Sequence, residues 1–195
     1  MSRVTPDHNA RVMTWKSGEA LTFTGKLVLP LAPRADDVDI VDIAHALANT
    51  CRFNGHTRRF YSVAEHSVRV ARKVGDPRHK LVALLHDAAE AYTGVVIRPL
   101  KRYFPELFEA ERRVWAAIAE HYALPEKLPN AVTEADNWAL HNELFHLLRA
   151  AQSDEIAGAM ARDNDAPDCW TPAEARDAFL AEFARLDGFR GGVHV

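Results

Sequence analysis

The sequence predicts an all-α protein that carries a small N-terminal β-hairpin. Three observations lead there. Residues 12–29 alternate apolar and polar side chains, as in Ala20-Leu21-Thr22-Phe23-Thr24, with Gly18 and Gly25 as turn formers. From Asp39 onward the apolar residues recur at helical spacing. The segments between are punctuated by capping residues, prolines and glycines at positions where helices begin or stop.

Each element follows in order. Pro30 and Pro33 end the hairpin. Asp39 can cap the helix DIVDIAHALAN. Ser62 and Glu65 form a capping box, S-x-x-E, at the start of SVAEHSVRVARKV. Pro77 suits the first position of PRHKLVALLHDAAEAY, and Gly94 and Pro99 break the chain after it. Pro105 opens ELFEAERRVWAAIAEHYAL, which Pro125 and Pro129 close. VTEADNWALHNELFHLLRAAQ reads as a long helix with an apolar stripe through Leu140, Leu144 and Leu147. Ser153 to Thr171 reads as a loop, because DNDAP gathers turn formers. Pro172 starts a last helix over about 172–187, and Arg190 with two glycines ends in a loose tail.

With 195 residues, the chain suits one domain over 1–195: a hairpin at about 12–29, a helical core at about 39–150 and the C-terminal helix. Apolar residues make up 48% and charged residues 26%, which is the balance of an ordinary globular protein. No apolar run reaches the roughly 18 residues of a membrane helix, so no membrane partner is expected. MSRVTPDHNARVMTW lacks the apolar stretch of a signal peptide. Cys51 and Cys169 make neither a disulfide framework nor a Cys-x-x-Cys site, and a reducing, cytoplasmic setting is expected. A net charge of −3 argues against a general nucleic-acid binder, but leaves room for a local basic pocket holding a phosphorylated small molecule. Homo-oligomerisation is left open.

The strongest chemical signal is His86-Asp87, two metal-ligand types side by side after an apolar run. His66 lies upstream in YSVAEHSVRVA, and Asp136 downstream in VTEADNWAL. A divalent cation needs several lone-pair donors about 2.0–2.2 Å from one point, and a helical bundle can supply them from facing helices. Two imidazoles and two carboxylates leave a divalent site near neutral. They suit Mn, Fe, Co, Ni or Zn better than Ca. Either histidine alone reads more readily as a hydrogen-bonded core residue, and the carboxylates as caps. All four in this order point to one divalent metal ion.

This order resembles the H…HD…D signature of the HD-domain phosphohydrolase superfamily. CRFNGHTRRFYSVAEHS, ALLHDAAEAYTG and IRPLK look closest to the branch of bacterial 5′-deoxynucleotidases and phage deoxyadenosine-triphosphate triphosphohydrolases. The resemblance covers roughly residues 39–150. It implies one HD-domain helical bundle and admits Mg to the candidate metals. It implies hydrolysis of a nucleotide, with deoxynucleoside 5′-monophosphates as the first expected substrates. A triphosphohydrolase of the dATP type is the second reading.

Glu90, four residues after His86, shares its face of a helix and could hold water or relay a proton. The resemblance gives it a catalytic role; the plainer reading is a solvated helix face. Val95 departs from the pattern, because the related enzymes carry an aspartate there that acts with the glutamate. Valine neither donates nor accepts a hydrogen bond, so a catalytically impaired nucleotide-binding protein is a third reading. Arg52, Arg98 and Lys101 are candidate phosphate contacts, with Arg58 and Arg59 nearby. Lys101 matches the lysine of the family's Pro-x-Lys turn. Arg52-Phe53 resembles an Arg-Trp pair that shapes the sugar-proximal pocket; Phe53 reads equally as a core aromatic. His45 and His56 are further candidates, with His45 structural or pocket-lining rather than a metal ligand.

Overall fold

The computed structural model describes residues 18–148, 154–163 and 165–191. The expected hairpin residues 12–17 and the tail after Gly191 lie outside the described residues. The hairpin itself is small. β1 (Ala20–Leu21) pairs antiparallel with β2 (Leu27–Val28), with Ala20 opposite Val28 and Leu21 opposite Leu27. Its turn uses Gly25 at φ 88°, a conformation that a Cβ disfavours. Asp42, buried on the following helix, accepts the Thr24 N–H at 2.7 Å and its hydroxyl at 2.9 Å. The Phe23 ring stacks on His45 at 3.7 Å between centroids, which makes His45 a structural residue.

The rest is helical: α1 (Ile40–Asn49), α2 (Val63–Lys73), α3 (Pro77–Leu85), α4 (Glu90–Thr93), α5 (Arg98–Lys101), α6 (Pro105–His121), α7 (Asn130–Leu147), α8 (Asp154–Arg162) and α9 (Pro172–Gly191). Caps set the starts. Asp39 accepts the Val41 N–H at 2.8 Å, Ser62 that of Glu65 at 3.1 Å, and Asp76, ahead of Pro77, that of Arg78 at 2.9 Å. No described helix is long and apolar enough to cross a membrane.

α2 is the axis of the bundle. It packs against α1, α3, α7 and α9, and residues 63–71 are buried all round. Ile43, Leu47, Val68, Leu84, Leu85, Ile118 and Phe179 fill the space around it. On a helix buried on every side, a charged group is costly unless it is paired. Glu65, His66 and Arg69 therefore all have partners inside.

Five expectations are corrected. The capping box is half made: Glu65 turns away from its own helix end and accepts the Cys169 and Trp170 N–H groups at 2.9 and 2.7 Å. Residues 154–162, read as loop, form α8, because alanine, methionine and arginine favour a helix behind Asp154. The helix read over 77–92 divides after Leu85. The last expected helix runs on to Gly191, past its predicted end at about 187. α7 ends at Leu147, and its buried residues are Val132, Ala135, Ala139, Asn142, Glu143 and Leu147, so that of the three expected leucines Leu147 is buried and two polar residues join the stripe.

Candidate metal centre

The division after Leu85 builds the centre. A continuing α-helix would give the Ala83 carbonyl to the Asp87 N–H. The His86 ring takes that carbonyl instead, Nδ1 to oxygen at 2.8 Å. The backbone then tightens into shorter turns, with Ala88 N–H on Leu85 and Glu90 N–H on Asp87. A donated Nδ1–H leaves the lone pair of His86 on Nε2. His66, on α2, is fixed the same way: its Nδ1 lies 2.6 Å from Glu143 Oε1. The two Nε2 atoms converge to 3.3 Å. Asp136 Oδ1, from α7, lies 3.3 Å from His66 Nε2. Ligands at about 2.1 Å from one ion stand about 3.0–3.4 Å apart, so the spacing fits a divalent cation. The His66, His86 and Asp136 group, with ligand atoms all within 4.8 Å of one another, could hold a metal ion. Asp87 Oδ2 adjoins both rings, at 3.6 Å from His66 and 3.4 Å from His86.

Burial pushes the Asp87 carboxyl up, but His86, His66 and Arg52 outweigh it and hold it below its ordinary value. Asp136 is held low against the same burial by His66, His86 and Arg52. Glu90 goes the other way: burial, then the Asp87 charge, pushes it up to about 7. That is where a group exchanging protons at neutral pH should sit.

A cavity of about 360 Å³ opens onto this cluster, and Arg52, Phe53, Glu90, Val95, Lys101 and Asp136 all line it. Lys101 Nζ is 3.4 Å from Glu90 and 3.0 Å from Glu111 on α6. A second cavity of about 260 Å³ shares Asp87, Glu90 and Lys101 with the first and is lined by His86 as well. Val95, Val96 and Ile97 make one wall apolar. Arg52 donates from Nε to Glu143 at 3.1 Å and from Nη1 to Asp87 at 3.5 Å. Its guanidinium carbon stands 5.4 Å from the Phe53 ring centroid. Phe53 and Asn54 hold left-handed φ of 52° and 50°, which side chains disfavour, and Phe53 lines the cavity.

The structure thus brings together His66, His86, Asp87, Asp136, Glu90, Val95, Arg52, Phe53 and Lys101. Arg98 opens α5, and its side chain is not among the described ones. Arg59 is occupied elsewhere, donating to the Asp168 carbonyl at 2.8 Å. Neither Arg58, Arg59 nor His56 lines the cavity. Sequence reasoning missed Glu143 and Glu111. Glu143 had a signal: Asp136, Leu140 and Glu143 fall at i, i+4 and i+7, on one helix face. Glu111 had none, since it meets the site through Lys101 and the second cavity, contacts that a bare sequence does not show.

No family model matches the chain. An uncharacterized protein of Rhodobacter capsulatus is 39% identical over 152 residues, which cover 70% of this chain and 77% of that protein. The uncharacterized protein YfdR of Escherichia coli is 42% identical over 115 residues, 59% of this chain. The match spans 64% of YfdR, just under two thirds of its length.

Proposed function

This chain belongs to the same family as the Rhodobacter capsulatus protein, and we propose that it is a metal-dependent phosphohydrolase of nucleotides, of the HD-domain type, acting on deoxynucleoside 5′-monophosphates. The observation that carries the reading is the convergence of two histidine lone pairs on Asp136, which itself lines a cavity that also presents Asp87, Arg52, Lys101 and Glu90. His66, His86, Asp136 and Asp87 would hold the ion. A divalent cation bound there supplies Lewis acidity toward a phosphoryl oxygen and toward water.

The protein's own residues do the rest. Arg52, whose Nη1 lies 3.5 Å from Asp87, would offer its outer N–H groups to a phosphate bound beside Asp87 while Glu143 keeps its Nε side occupied. Glu90, poised near neutrality, takes the proton of the attacking water and returns it to the departing oxygen. Lys101, between Glu90 and Glu111, limits the negative charge around the phosphate. The apolar wall of Val95, Val96 and Ile97 excludes water from the sugar side. Both cavity cations already face carboxylates, so the pocket suits a dianionic monophosphate better than a triphosphate.

Val95 favours a second reading. The wall it belongs to offers no second carboxylate, which would suit a nucleotide-binding protein that retains its metal without turnover. Metal analysis followed by phosphate release separates the readings. The parent should hold one divalent ion per chain, Asp136→Ala markedly less, and the loaded parent should release phosphate from deoxynucleoside monophosphates. Equal metal in both proteins would overturn the centre. Binding of nucleotides without release from any mono- or triphosphate would leave the non-hydrolytic reading standing.

A further inference from the structure

Glu143 is fully buried on α7, and donors from three directions meet on its carboxylate. Oε1 accepts from His66 Nδ1 at 2.6 Å and from the Tyr61 hydroxyl at 2.8 Å. Oε2 accepts from Arg52 Nε at 3.1 Å, with Nη2 also 3.1 Å away. An isolated carboxylate this deep would be very costly, so its partners must be satisfied together. They are divided by oxygen. One oxygen faces a metal ligand, and the other faces the arginine that reaches the phosphate pocket.

We propose that Glu143 is a positioning residue that governs both halves of the site at once, fixing the His66 ring with Nε2 toward the metal and holding the Arg52 guanidinium with its Nη1 edge toward the phosphate. The assignment of the Arg52 half rests on the phosphohydrolase reading above. The His66 half requires only that the centre binds a metal. The geometry explains why the chain keeps an acid in its interior. A metal-ligating histidine needs its second nitrogen committed, or the ring can turn and the tautomer exchange. An arginine in a cavity needs one edge committed, or its fork points in many directions. One carboxylate does both because its two oxygens point to different elements, α2 and the turn at 52–55.

Glutamine separates this role from a purely structural one. Glu143→Gln keeps the shape but has one acceptor and one donor. With its oxygen toward His66 and Tyr61, its NH2 confronts the Arg52 guanidinium. Turned over, its NH2 confronts His66 Nδ1–H and drives the ring to the wrong tautomer. Neither orientation preserves the site. Metal affinity of Glu143→Gln, measured by competition titration, should fall about 10–100-fold. With saturating metal, its KM for a deoxynucleoside monophosphate should rise more than its kcat falls. Tyr61→Phe removes a bond to the same carboxylate but leaves the His66 and Arg52 contacts, so its metal affinity should stay near that of the parent. The proposal is overturned if Glu143→Gln is only less heat-stable, with metal affinity and KM as in the parent, or if Tyr61→Phe weakens metal binding equally. Should the parent bind metal without releasing phosphate, the hydrolase reading fails with the KM comparison, and metal affinity alone decides the His66 half. Should Glu143→Gln not fold, the zinc-loaded parent decides by long-range ¹⁵N NMR. His66 must carry its proton on Nδ1 and bind through Nε2; the reverse overturns the proposal.

Discussion

At Val95 a branched hydrocarbon stands where the cavity also presents Asp87, Glu90 and Asp136. A carboxylate in its place would reach the same space and give Glu90 a partner in proton transfer. General acid–base assistance is commonly worth 10²–10⁴-fold, so Val95→Asp should raise kcat by about 10²-fold, with metal content unchanged. Steady-state kinetics beside elemental analysis checks it; a variant that binds metal and substrate but turns over no faster removes Val95 from the chemistry. Glu90 itself carries a pH signature. Its folded value is raised to about 7 by burial and Asp87, whereas the unfolded chain ionises near the model-peptide value of about 4.3. The folded state thus holds a proton that the unfolded state releases, and stability declines as pH rises from about 4.3 to 7. In chelator-treated protein, Glu90→Gln should match the parent below pH 4 and exceed it by about 1–3 kcal/mol at pH 8. Denaturant melts at the two pH values check the sign.

Among the elements, starts were legible and stops were less so. Asp39, Ser62 and Asp76 cap their helices with side chains that lie beside the groups they satisfy, and such signals survive in a bare sequence. The candidate ligands His66, His86, Asp87 and Asp136 were legible for a similar reason: no one of them alone signals a metal, but their types and order together do. What was hidden depended on distance along the chain. Glu65 serves Cys169 and Trp170, more than a hundred residues away, so its capping-box pattern misled. The break after Leu85 arises because the His86 ring takes a backbone carbonyl, and nothing in ALLHDAAEAY forbids a continuous helix. Glu143 looked like any acid on a long helix until Arg52, Tyr61 and His66 came to it. The hairpin is held by a comparable long-range device, the Thr24 pair on Asp42. Asp42→Ala strands the Thr24 N–H and should cost about 1–3 kcal/mol. No described hairpin residue lines the cavity beside the candidate metal centre, so metal content should not change. Thermal melts and elemental analysis of one preparation test both statements.

Across the whole molecule, the candidate ligands tie together α2, the turn after α3, and α7, three parts of the chain that meet only in the folded state. A cation that binds this arrangement and not the unfolded chain must stabilise the fold, by about 2.7 kcal/mol at a free concentration 100 times Kd. Loading should therefore raise the Tm of the parent and leave Asp136→Ala where it was. The same interior also sets an acid limit. Burial raises the Glu143 carboxyl, but Arg52 and His66 more than offset it and hold it at about 2. Asp87 and Asp136 are held low as well. Each of these groups has a folded value below its unfolded one. Their contribution is complete above about pH 4.5 and is lost as pH falls toward 2. Metal binding adds a second limit at higher pH, because protons compete with the cation for His66, which burial and Arg52 push down but Glu143 and Asp136 raise above its ordinary value. Two steps should thus appear as the loaded protein is acidified. The Tm gain from metal should shrink first, as His66 takes up a proton. The metal-free fold should weaken only below about pH 4.5, as the buried carboxylates do. Calorimetric scans of loaded and chelated protein from pH 8 to 3 would resolve the order. Loss of the metal gain only below pH 4 would mean that the histidines do not hold the ion, and the centre would have to be rebuilt from its carboxylates alone.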